Sequence, residues 1–280
     1  MRSLTSQLLP LYDEHEARSI VRLLLAEVFG FTLADICAGA LDNLNDDQKQ
    51  LLAQLMARLE KGEPVQYVVG WTFFCNRKFI VRRGCLIPRP ETEELCQWIT
   101  RENKDRQVEI LDIGTGSGCI AVTLNKEMPA AKVTAWDISA DALNIARENI
   151  ATNKADVRLE QQDALNPPRD IERWDVIVSN PPYICHKEAV DMERNVLDYE
   201  PRQALFVPDE DPLLFYRSIS KYATHALKDG GRLYFEINPI YTTMLTDLLA
   251  NDNFQGITVE KDAEGRERMV KANKGRWLHQ

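Results

Sequence analysis

The sequence predicts an α/β fold in which a doubly wound, mostly parallel sheet of seven strands follows a small helical domain. Three observations predict it. Before residue 70 apolar residues recur at helical spacing, from about residue 107 short apolar runs alternate with helical patterns, and a short turn separates the last two runs. Alternation implies a parallel sheet with helices on both faces, and the closing pair requires one antiparallel strand.

Residues 1–69 are predicted to form an N-terminal helical domain that docks the substrate. Two stretches carry apolar residues three and four positions apart, as helices that bury one face do. They are Ile20, Val21, Leu24, Leu25, Val28 and Phe29, and then Leu51, Leu52, Leu55, Met56 and Leu59. Residues 31–44 indicate a short helix and loops, and Gly62-Glu-Pro64 ends the domain. Plain packing is the alternative role for these helices.

Residues 70–87 are predicted to be a β-hairpin linker. Trp71-Thr-Phe-Phe74 and Phe79-Ile-Val81 flank a turn near Asn76-Arg-Lys78. In the following segment, Pro88-Arg-Pro-Glu-Thr-Glu-Glu94, Pro90 suits the first position of a helix and the glutamates complement the positive end of its dipole. A well-made helix start explains that segment without any function.

Residues 88–280 are predicted to form the α/β domain. Its strands are predicted at 108–111, 132–136, 157–161, 174–179, 232–237, 256–261 and 267–272. Its helices are predicted after Gly118, after Ser139 as N-cap, from about Pro212 to Leu227 with Gly230-Gly231 as the end signal, and near 240–250.

Composition narrows the function. The net charge is −9, and nucleic-acid enzymes generally carry a basic surface that neutralises phosphates, so the charge favours a protein or small-molecule substrate. No apolar stretch approaches a membrane span, and the N-terminus lacks a signal-peptide pattern. The six cysteines and four histidines show no metal-ligand spacing, so we expect reduced thiols, no metal site and a cytoplasmic protein. We expect a monomer.

The most informative stretch is Val176-Ile-Val-Ser-Asn-Pro-Pro-Tyr183. It reads as a buried strand, and two prolines must end it because neither has an N–H for a sheet ladder. Past the strand end, the Asn180 side-chain oxygen and the Pro181 carbonyl can accept the two hydrogens of a planar –NH2 group, and Tyr183 can cover its face. A strand-ending turn with a satisfied asparagine is the plainer alternative.

A glycine-rich turn, Asp112-Ile-Gly-Thr-Gly-Ser-Gly118, lies between the first predicted strand of the α/β domain and its helix. Glycines let the backbone approach a ligand closely, but sites for NAD, FAD and S-adenosylmethionine all use such a turn. Two details favour the last. The dinucleotide pattern requires a glycine or alanine at position 119, where this chain has Cys119, and Asp112 would repel a pyrophosphate but suit an ammonium group.

Polar groups follow the next two predicted strands. Asp137 is placed where an acid accepts hydrogen bonds from both ribose hydroxyls. Asp163 and Ala164 come after the third strand, where a carboxylate and a backbone N–H can read an adenine edge. Ligands of open α/β sheets bind at the carboxyl ends of the strands, so we predict one nucleotide site from this set.

With these residues the chain resembles the class I S-adenosylmethionine-dependent methyltransferases. More narrowly, it resembles the release-factor glutamine N5-methyltransferase family (HemK/PrmC type) over nearly its whole length. The matching segments are the helical N-terminal domain, Ile87-Pro-Arg-Pro-Glu-Thr-Glu93, Asp112–Gly118, Ser179-Asn-Pro-Pro-Tyr183, Tyr199-Glu-Pro-Arg202 and Glu236-Ile237. Asn-Pro-Pro-Tyr alone is shared with enzymes that methylate exocyclic amines of bases. Glycines common after Ala204-Leu205 are absent, and Ala164 replaces a tryptophan found in some members.

The resemblance implies a Rossmann-like methyltransferase domain, S-adenosyl-L-methionine as methyl donor and S-adenosyl-L-homocysteine as product. It implies that the substrate is the glutamine of the Gly-Gly-Gln loop in class 1 peptide-chain release factors, without direct nucleic-acid or membrane binding. The expected cofactor residues are Gly114, Thr115, Gly116, Ser117, Gly118, Asp137, Asp163, Ala164 and Asn180. Asn180, Pro181, Pro182 and Tyr183 are expected to bind substrate, with Asn180, Pro181 and Tyr183 catalytic. Glu200 and Arg202 line the substrate channel or brace a loop.

Three alternatives stay open. The same chemistry can act on a ribosomal-protein glutamine or on an amino group of a nucleic-acid base. A non-catalytic cofactor-binding module is disfavoured because it has no reason to keep the Asn180–Tyr183 set. A dehydrogenase is disfavoured by Cys119 and by the terminal antiparallel strand.

Overall fold

The computed structural model describes residues 1–104 and 106–275. The chain forms two compact units. The first comprises Met1–Trp71, Val81–Arg83 and Met192–Glu200, and the second comprises the rest of the described chain. Within the described residues, no helix has both the length and the apolar character to cross a bilayer.

The first unit is helical. Its helices are α1 (Arg2–Leu8), α2 (Glu14–Phe29), α3 (Leu33–Cys37), α4 (Asp46–Leu59), α5 (Val65–Val69) and α9 (Arg194–Tyr199), with a 3₁₀ turn at Ala40–Asn43. Asn45 caps α4 in a capping box with Gln48, which satisfies backbone donors that the helix leaves open. The apolar faces of α2 and α4 bury Leu24, Leu25 and Leu59 in one core, as the helical spacing predicts.

The hairpin pairs β1 (Trp71–Phe74) with β2 (Arg77–Ile80). Cys75 and Asn76 form its turn with φ angles of 47° and 59°. Two consecutive positive φ angles are the geometry of a type I′ turn, whose twist matches that of the paired strands.

The second unit contains the seven-stranded sheet. Its strands are β3 (Glu109–Ile113), β4 (Lys132–Asp137), β5 (Val157–Gln161), β6 (Trp174–Ser179), β9 (Leu227–Glu236), β10 (Phe254–Lys261) and β11 (Glu267–Lys274), and a small separate sheet pairs β7 (Ile184–Cys185) with β8 (Phe206–Val207). The strand order is β10-β11-β9-β6-β3-β4-β5. The pairs from β9 to β5 are parallel, whereas β11 is antiparallel to both β9 and β10. This confirms the predicted mostly parallel sheet with an antiparallel terminal strand.

Helices cover both faces of the sheet. They are α6 (Pro90–Asn103), α7 (Cys119–Glu127), α8 (Ala140–Thr152), α10 (Leu214–Ala226) and α11 (Thr242–Asn251), with 3₁₀ turns at His186–Asp191, Arg202–Ala204 and Pro239–Tyr241. Successive strand residues enter opposite cores: Ile110 packs with α6 and α7, and Leu111 packs with α10 and α11. Burial on both faces explains why these strands read as continuous apolar runs.

The predicted end signal of α10 is wrong, although the helix ends within one residue of the predicted Leu227. Gly230 and Gly231 do not end the helix but lie inside β9, and α10 ends at Ala226. Trp174 pairs with Leu227 and Val176 pairs with Arg232, so the residues between Leu227 and Arg232 form a bulge. Gly230 has a φ of 70°, and a Cβ on Gly231 would lie 2.8 Å from the Lys228 carbonyl oxygen, so the glycines serve the bulge.

Candidate active site

Four parallel strands end at one edge of the sheet and carry the predicted site residues there. Ile113 at the end of β3 is opposite both Trp136 on β4 and Ser179 on β6, and Asp137 is opposite Gln161 on β5. The residues that follow these positions are the glycine turn, Asp163 and Asn180. The structure therefore brings together the groups that the sequence predicted as one site.

The glycine turn is held open by its backbone. Gly114, Gly116 and Gly118 have φ angles of 75°, 56° and 81°. A Cβ on Gly114 or Gly116 would meet no atom within 4 Å, whereas a Cβ on Gly118 would lie 3.2 Å from the Ala146 Cβ. Gly118 thus lets α7 pack against α8, and the first two glycines leave their surface clear for a ligand.

Two predicted cofactor residues turn their side chains inward. Thr115 is buried, and its hydroxyl donates to Asp112 Oδ2 over 2.6 Å. Ser117 is buried, and its hydroxyl has no hydrogen-bond partner among the described residues. At both positions only the backbone is left to face a ligand.

Asp112 is a fully buried acid below the turn. Its Oδ1 has no hydrogen-bond partner among residues 1–104 and 106–275. Burial raises the pKa of this carboxyl to about 7, although the Thr115 hydroxyl opposes the shift. Because an unpaired buried carboxylate is unfavourable, Asp112 needs either a proton or a cationic ligand group.

Asp137 ties the end of β4 to the turn. Its Oδ2 accepts from the Gly116 N–H and its Oδ1 from the Ser139 N–H, both over 2.9 Å. Burial raises the pKa of Asp137, and the backbone donors partly offset it. Each carboxylate oxygen keeps a second lone pair, so Asp137 retains the capacity to accept from two hydroxyl groups.

Asp163 is engaged in its own turn. Its oxygens accept from the Leu165 N–H over 2.8 Å and from the Asn166 side chain over 2.6 Å. The Ala164 carbonyl accepts from Ser218, which leaves the Ala164 N–H as the group for ligand recognition.

Sequence reasoning missed Ile138 and Leu165, two exposed apolar side chains next to the predicted ligand residues. Their positions in the sequence, directly after the predicted ligand residues Asp137 and Ala164, could have identified them.

Asn180 follows Ser179, whose hydroxyl donates to the Ile113 carbonyl over 2.7 Å and joins β6 to β3. The Asn180 Nδ2 donates to Thr92 Oγ1 over 3.3 Å. Neither Asn180 Oδ1 nor the Pro181 carbonyl accepts a hydrogen bond from any residue that the structure describes. The two predicted acceptors are thus unengaged within the described chain and remain available to a ligand.

Tyr183 packs on the core below the loop, and its hydroxyl donates to Glu236 Oε1 over 3.1 Å. Burial, together with the Glu236 charge, raises its pKa, so the phenol stays neutral. The chain then continues into β7, and Ile184 pairs with Phe206 on β8. This small parallel sheet anchors the loop on its downstream side.

Two buried residues that the site prediction did not include stand beneath the loop. Glu236 ends β9 with 2% of its surface exposed, and Thr92 lies in the first turn of α6 with 2% exposed. Thr92 Oγ1 donates to Glu236 Oε2 over 2.5 Å. Burial raises the pKa of Glu236, while the Thr92 and Tyr183 hydroxyls oppose the shift. The signal was available, since both residues belong to the segments that carry the family resemblance.

The strand order, the glycine turn and the strand-end acids define a class I S-adenosylmethionine-dependent methyltransferase fold. Among solved structures, a methyltransferase from Pyrococcus furiosus aligns with a TM-score of 0.53 at 17% identity, covering 71% of this chain and 89% of that chain. Residues 92–199 match the family model "Methyltransferase small domain". At 17% identity, the match to the Pyrococcus furiosus structure shows the fold alone.

Sequence comparison narrows the class to one family. Residues 2–70 match the model "PrmC N-terminal domain". A release factor glutamine methyltransferase from Bacteroides thetaiotaomicron is 44% identical, covering 94% of this chain and 95% of the relative. One from Flavobacterium psychrophilum is 41% identical with 94% coverage of both. The chain belongs to the release factor glutamine methyltransferase family.

Proposed function

We propose that this protein transfers a methyl group from S-adenosyl-L-methionine to the side-chain amide nitrogen, N5, of the glutamine in the Gly-Gly-Gln motif of class 1 peptide-chain release factors. The observation that carries the proposal is the unengaged Asn180 oxygen beside the glycine turn, in a chain whose relatives are named release factor glutamine methyltransferases. The reaction belongs in the cytoplasm, where translation terminates.

The described residues fit S-adenosyl-L-methionine. The buried, unpartnered Asp112 Oδ1 suits the ammonium group of a methionine moiety, and the clear surface over Gly114 and Gly116 admits a ligand close to the backbone. Asp137 has lone pairs for ribose hydroxyls, and the Ala164 N–H and the Asp163 carboxylate suit an adenine edge. Ile138 and Leu165 offer apolar surface for the base. When bound, the cofactor supplies an electrophilic methyl group on a sulfonium sulfur.

Asn180 and Pro181 then orient the glutamine amide. A carboxamide nitrogen is a poor nucleophile because its lone pair is delocalised into the C=O. Hydrogen bonds from its two N–H groups to Asn180 Oδ1 and the Pro181 carbonyl would fix the nitrogen, favour its pyramidalisation and aim its lone pair. Alignment of two bound reactants can lower a barrier by about 7–11 kcal/mol.

Neither Tyr183 nor Glu236, the titratable residues of the hydrogen-bond chain at Asn180, offers a free general base. Tyr183 is a neutral phenol whose pKa is raised by burial, and the Glu236 oxygens already accept from two hydroxyls. We therefore propose that the amide proton leaves after methylation, when the nitrogen carries the positive charge. The proposed role of the residues around Asn180 is therefore to orient the reacting groups and to exclude water from them.

A protein substrate fits the rest of the chain better than nucleic acid does. The net charge is −9, whereas phosphate contacts require a basic surface. We propose that the helical N-terminal domain, residues 1–69, docks the release factor. The protein is proposed to act as a monomer.

The test is methyl transfer to defined substrates. The purified protein is incubated with labelled S-adenosyl-L-methionine and, separately, a release factor, its Gly-Gly-Gln glutamine→Glu variant, ribosomal proteins and nucleic acid. We expect label on the release factor alone, absent from the variant, and mass spectrometry should locate it on the glutamine side chain. Labelling of ribosomal protein or nucleic acid instead, or equal labelling of the variant, would reject the substrate assignment.

A further inference from the structure

Asn180, Thr92 and Glu236 form a chain of hydrogen bonds that connects the ends of β6 and β9 through the first turn of α6. Asn180 Nδ2 donates to Thr92 Oγ1 over 3.3 Å, and Thr92 Oγ1 donates to Glu236 Oε2 over 2.5 Å. We infer that Thr92 and Glu236 are positioning residues that hold the Asn180 carboxamide with its oxygen directed to the substrate –NH2 group. This inference rests on the proposed function and names residues that make it work.

The direction of each hydrogen bond follows from counting protons. A threonine hydroxyl has one proton. Although burial raises the pKa of Glu236, the Thr92 and Tyr183 hydroxyls stabilise its ionised form, and an ionised carboxylate can only accept. Glu236 receives hydroxyl protons on both oxygens, from Thr92 on Oε2 and from Tyr183 on Oε1. Because Thr92 donates its one hydroxyl proton to Glu236, the Thr92 oxygen can only accept a hydrogen bond from any other group.

The carboxamide orientation is the consequence. A group facing Thr92 Oγ1 has to be a donor, so Asn180 presents its –NH2 there and its oxygen is left for another partner. If the carboxamide turned over, its oxygen would face a second acceptor, and its –NH2 would face the donor hydrogens of the substrate amide. Glu236 therefore selects, through Thr92, the one orientation in which Asn180 can accept.

Glu236 also holds the aromatic part of the site. It accepts from Tyr183, and its own main-chain carbonyl accepts from the buried Tyr216 hydroxyl over 2.9 Å, which fixes the end of β9. One buried carboxylate thus positions both the amide and the ring that the proposed mechanism requires. Nearly complete burial keeps water from replacing either bond.

The test compares three substitutions on α6. Thr92→Val removes the hydroxyl at nearly constant shape, and Thr92→Ser keeps the hydroxyl. Thr100→Val is the matched control, because the Thr100 hydroxyl is buried on the same helix without a hydrogen-bond partner among the described residues. For Thr92→Val we expect kcat with the release factor to fall about 10- to 100-fold, the effect of a misdirected reacting group, with an unchanged Kd for S-adenosyl-L-methionine. Thr92→Ser should restore kcat, and Thr100→Val should leave it unchanged.

A second readout does not depend on the substrate. The side-chain amide protons of Asn180 are followed by NMR in asparagine-labelled protein and assigned by their loss in Asn180→Asp. Their exchange with solvent should accelerate about five- to tenfold in Thr92→Val, as expected for one lost hydrogen bond, but not in Thr92→Ser or Thr100→Val.

Each outcome decides one claim. Normal kcat in Thr92→Val, or an equal loss in Thr92→Ser, would overturn the positioning role, as would unchanged amide exchange in Thr92→Val. If the wild-type protein does not methylate release factors, the proposed function fails, and amide exchange still decides whether the hydrogen-bond chain orients Asn180.

Discussion

Replacing Asp112 by asparagine should make the cofactor-free protein more stable and the cofactor bind less well. Burial raises the pKa of Asp112 from 3.8 to about 7, with a smaller contribution from the Asp137 charge. A shift of about three pKa units corresponds to about 4 kcal/mol at 1.36 kcal/mol per unit. This is the free energy that the folded protein gives up when Asp112 ionises without a partner.

The sign follows from proton uptake. Between about pH 4 and pH 7 the folded state keeps a proton on Asp112 that the unfolded state has lost, so ionisation lowers stability as the pH rises through this window. Asparagine carries no charge at any pH. We therefore expect Asp112→Asn to change stability little near pH 4 and to stabilise the cofactor-free protein by up to about 4 kcal/mol above pH 7.

The assay is urea denaturation without cofactor at about pH 5 and about pH 8, followed by calorimetric titration of S-adenosyl-L-methionine at the higher pH. The variant should gain stability mainly at the higher pH and bind the cofactor at least about tenfold more weakly, since a buried ammonium would lose its counter-charge. A stability change that is equal at both pH values, or a variant that binds the cofactor normally, would refute the reasoning.

Two further predictions concern packing and the aromatic ring. In urea denaturation, Gly118→Ala should lower the free energy of unfolding by about 1–3 kcal/mol more than Gly265→Ala does. Both glycines have φ above 80°, but only a Cβ at position 118 would press against Ala146. Equal losses in the two variants would contradict the packing argument. Tyr183→Phe keeps the ring but removes the bond to Glu236, so kcat should fall by less than about tenfold while Tyr183→Ala loses more; steady-state kinetics with equal losses in both variants would show that the ring face is dispensable.

Local chemistry explains what the sequence could predict. The strand ending at Ser179 follows from the prolines, the cap at Ser139 from its hydroxyl, and the antiparallel strand β11 from the short turn before it. Because parallel strands end at one edge, listing the polar residues after β3, β4, β5 and β6 was enough to assemble the site.

Long-range pairing explains what it could not. Gly230 and Gly231 carry an end signal for a helix, but the register between β6 and β9 makes them a bulge. Thr92 and Glu236 are 144 positions apart, and no local pattern reveals that they are hydrogen-bonded to each other. The inward turn of the Thr115 side chain likewise depends on the buried Asp112 beneath it.

The most direct test of the central claim is the turnover of Asn180→Ala on the release factor, measured together with its affinity for S-adenosyl-L-methionine. If the Asn180 oxygen orients the glutamine –NH2, kcat falls by about 100-fold or more while the Kd of the cofactor stays near that of the wild-type protein. Turnover near the wild-type value, or a loss explained entirely by weaker cofactor binding, would contradict the account.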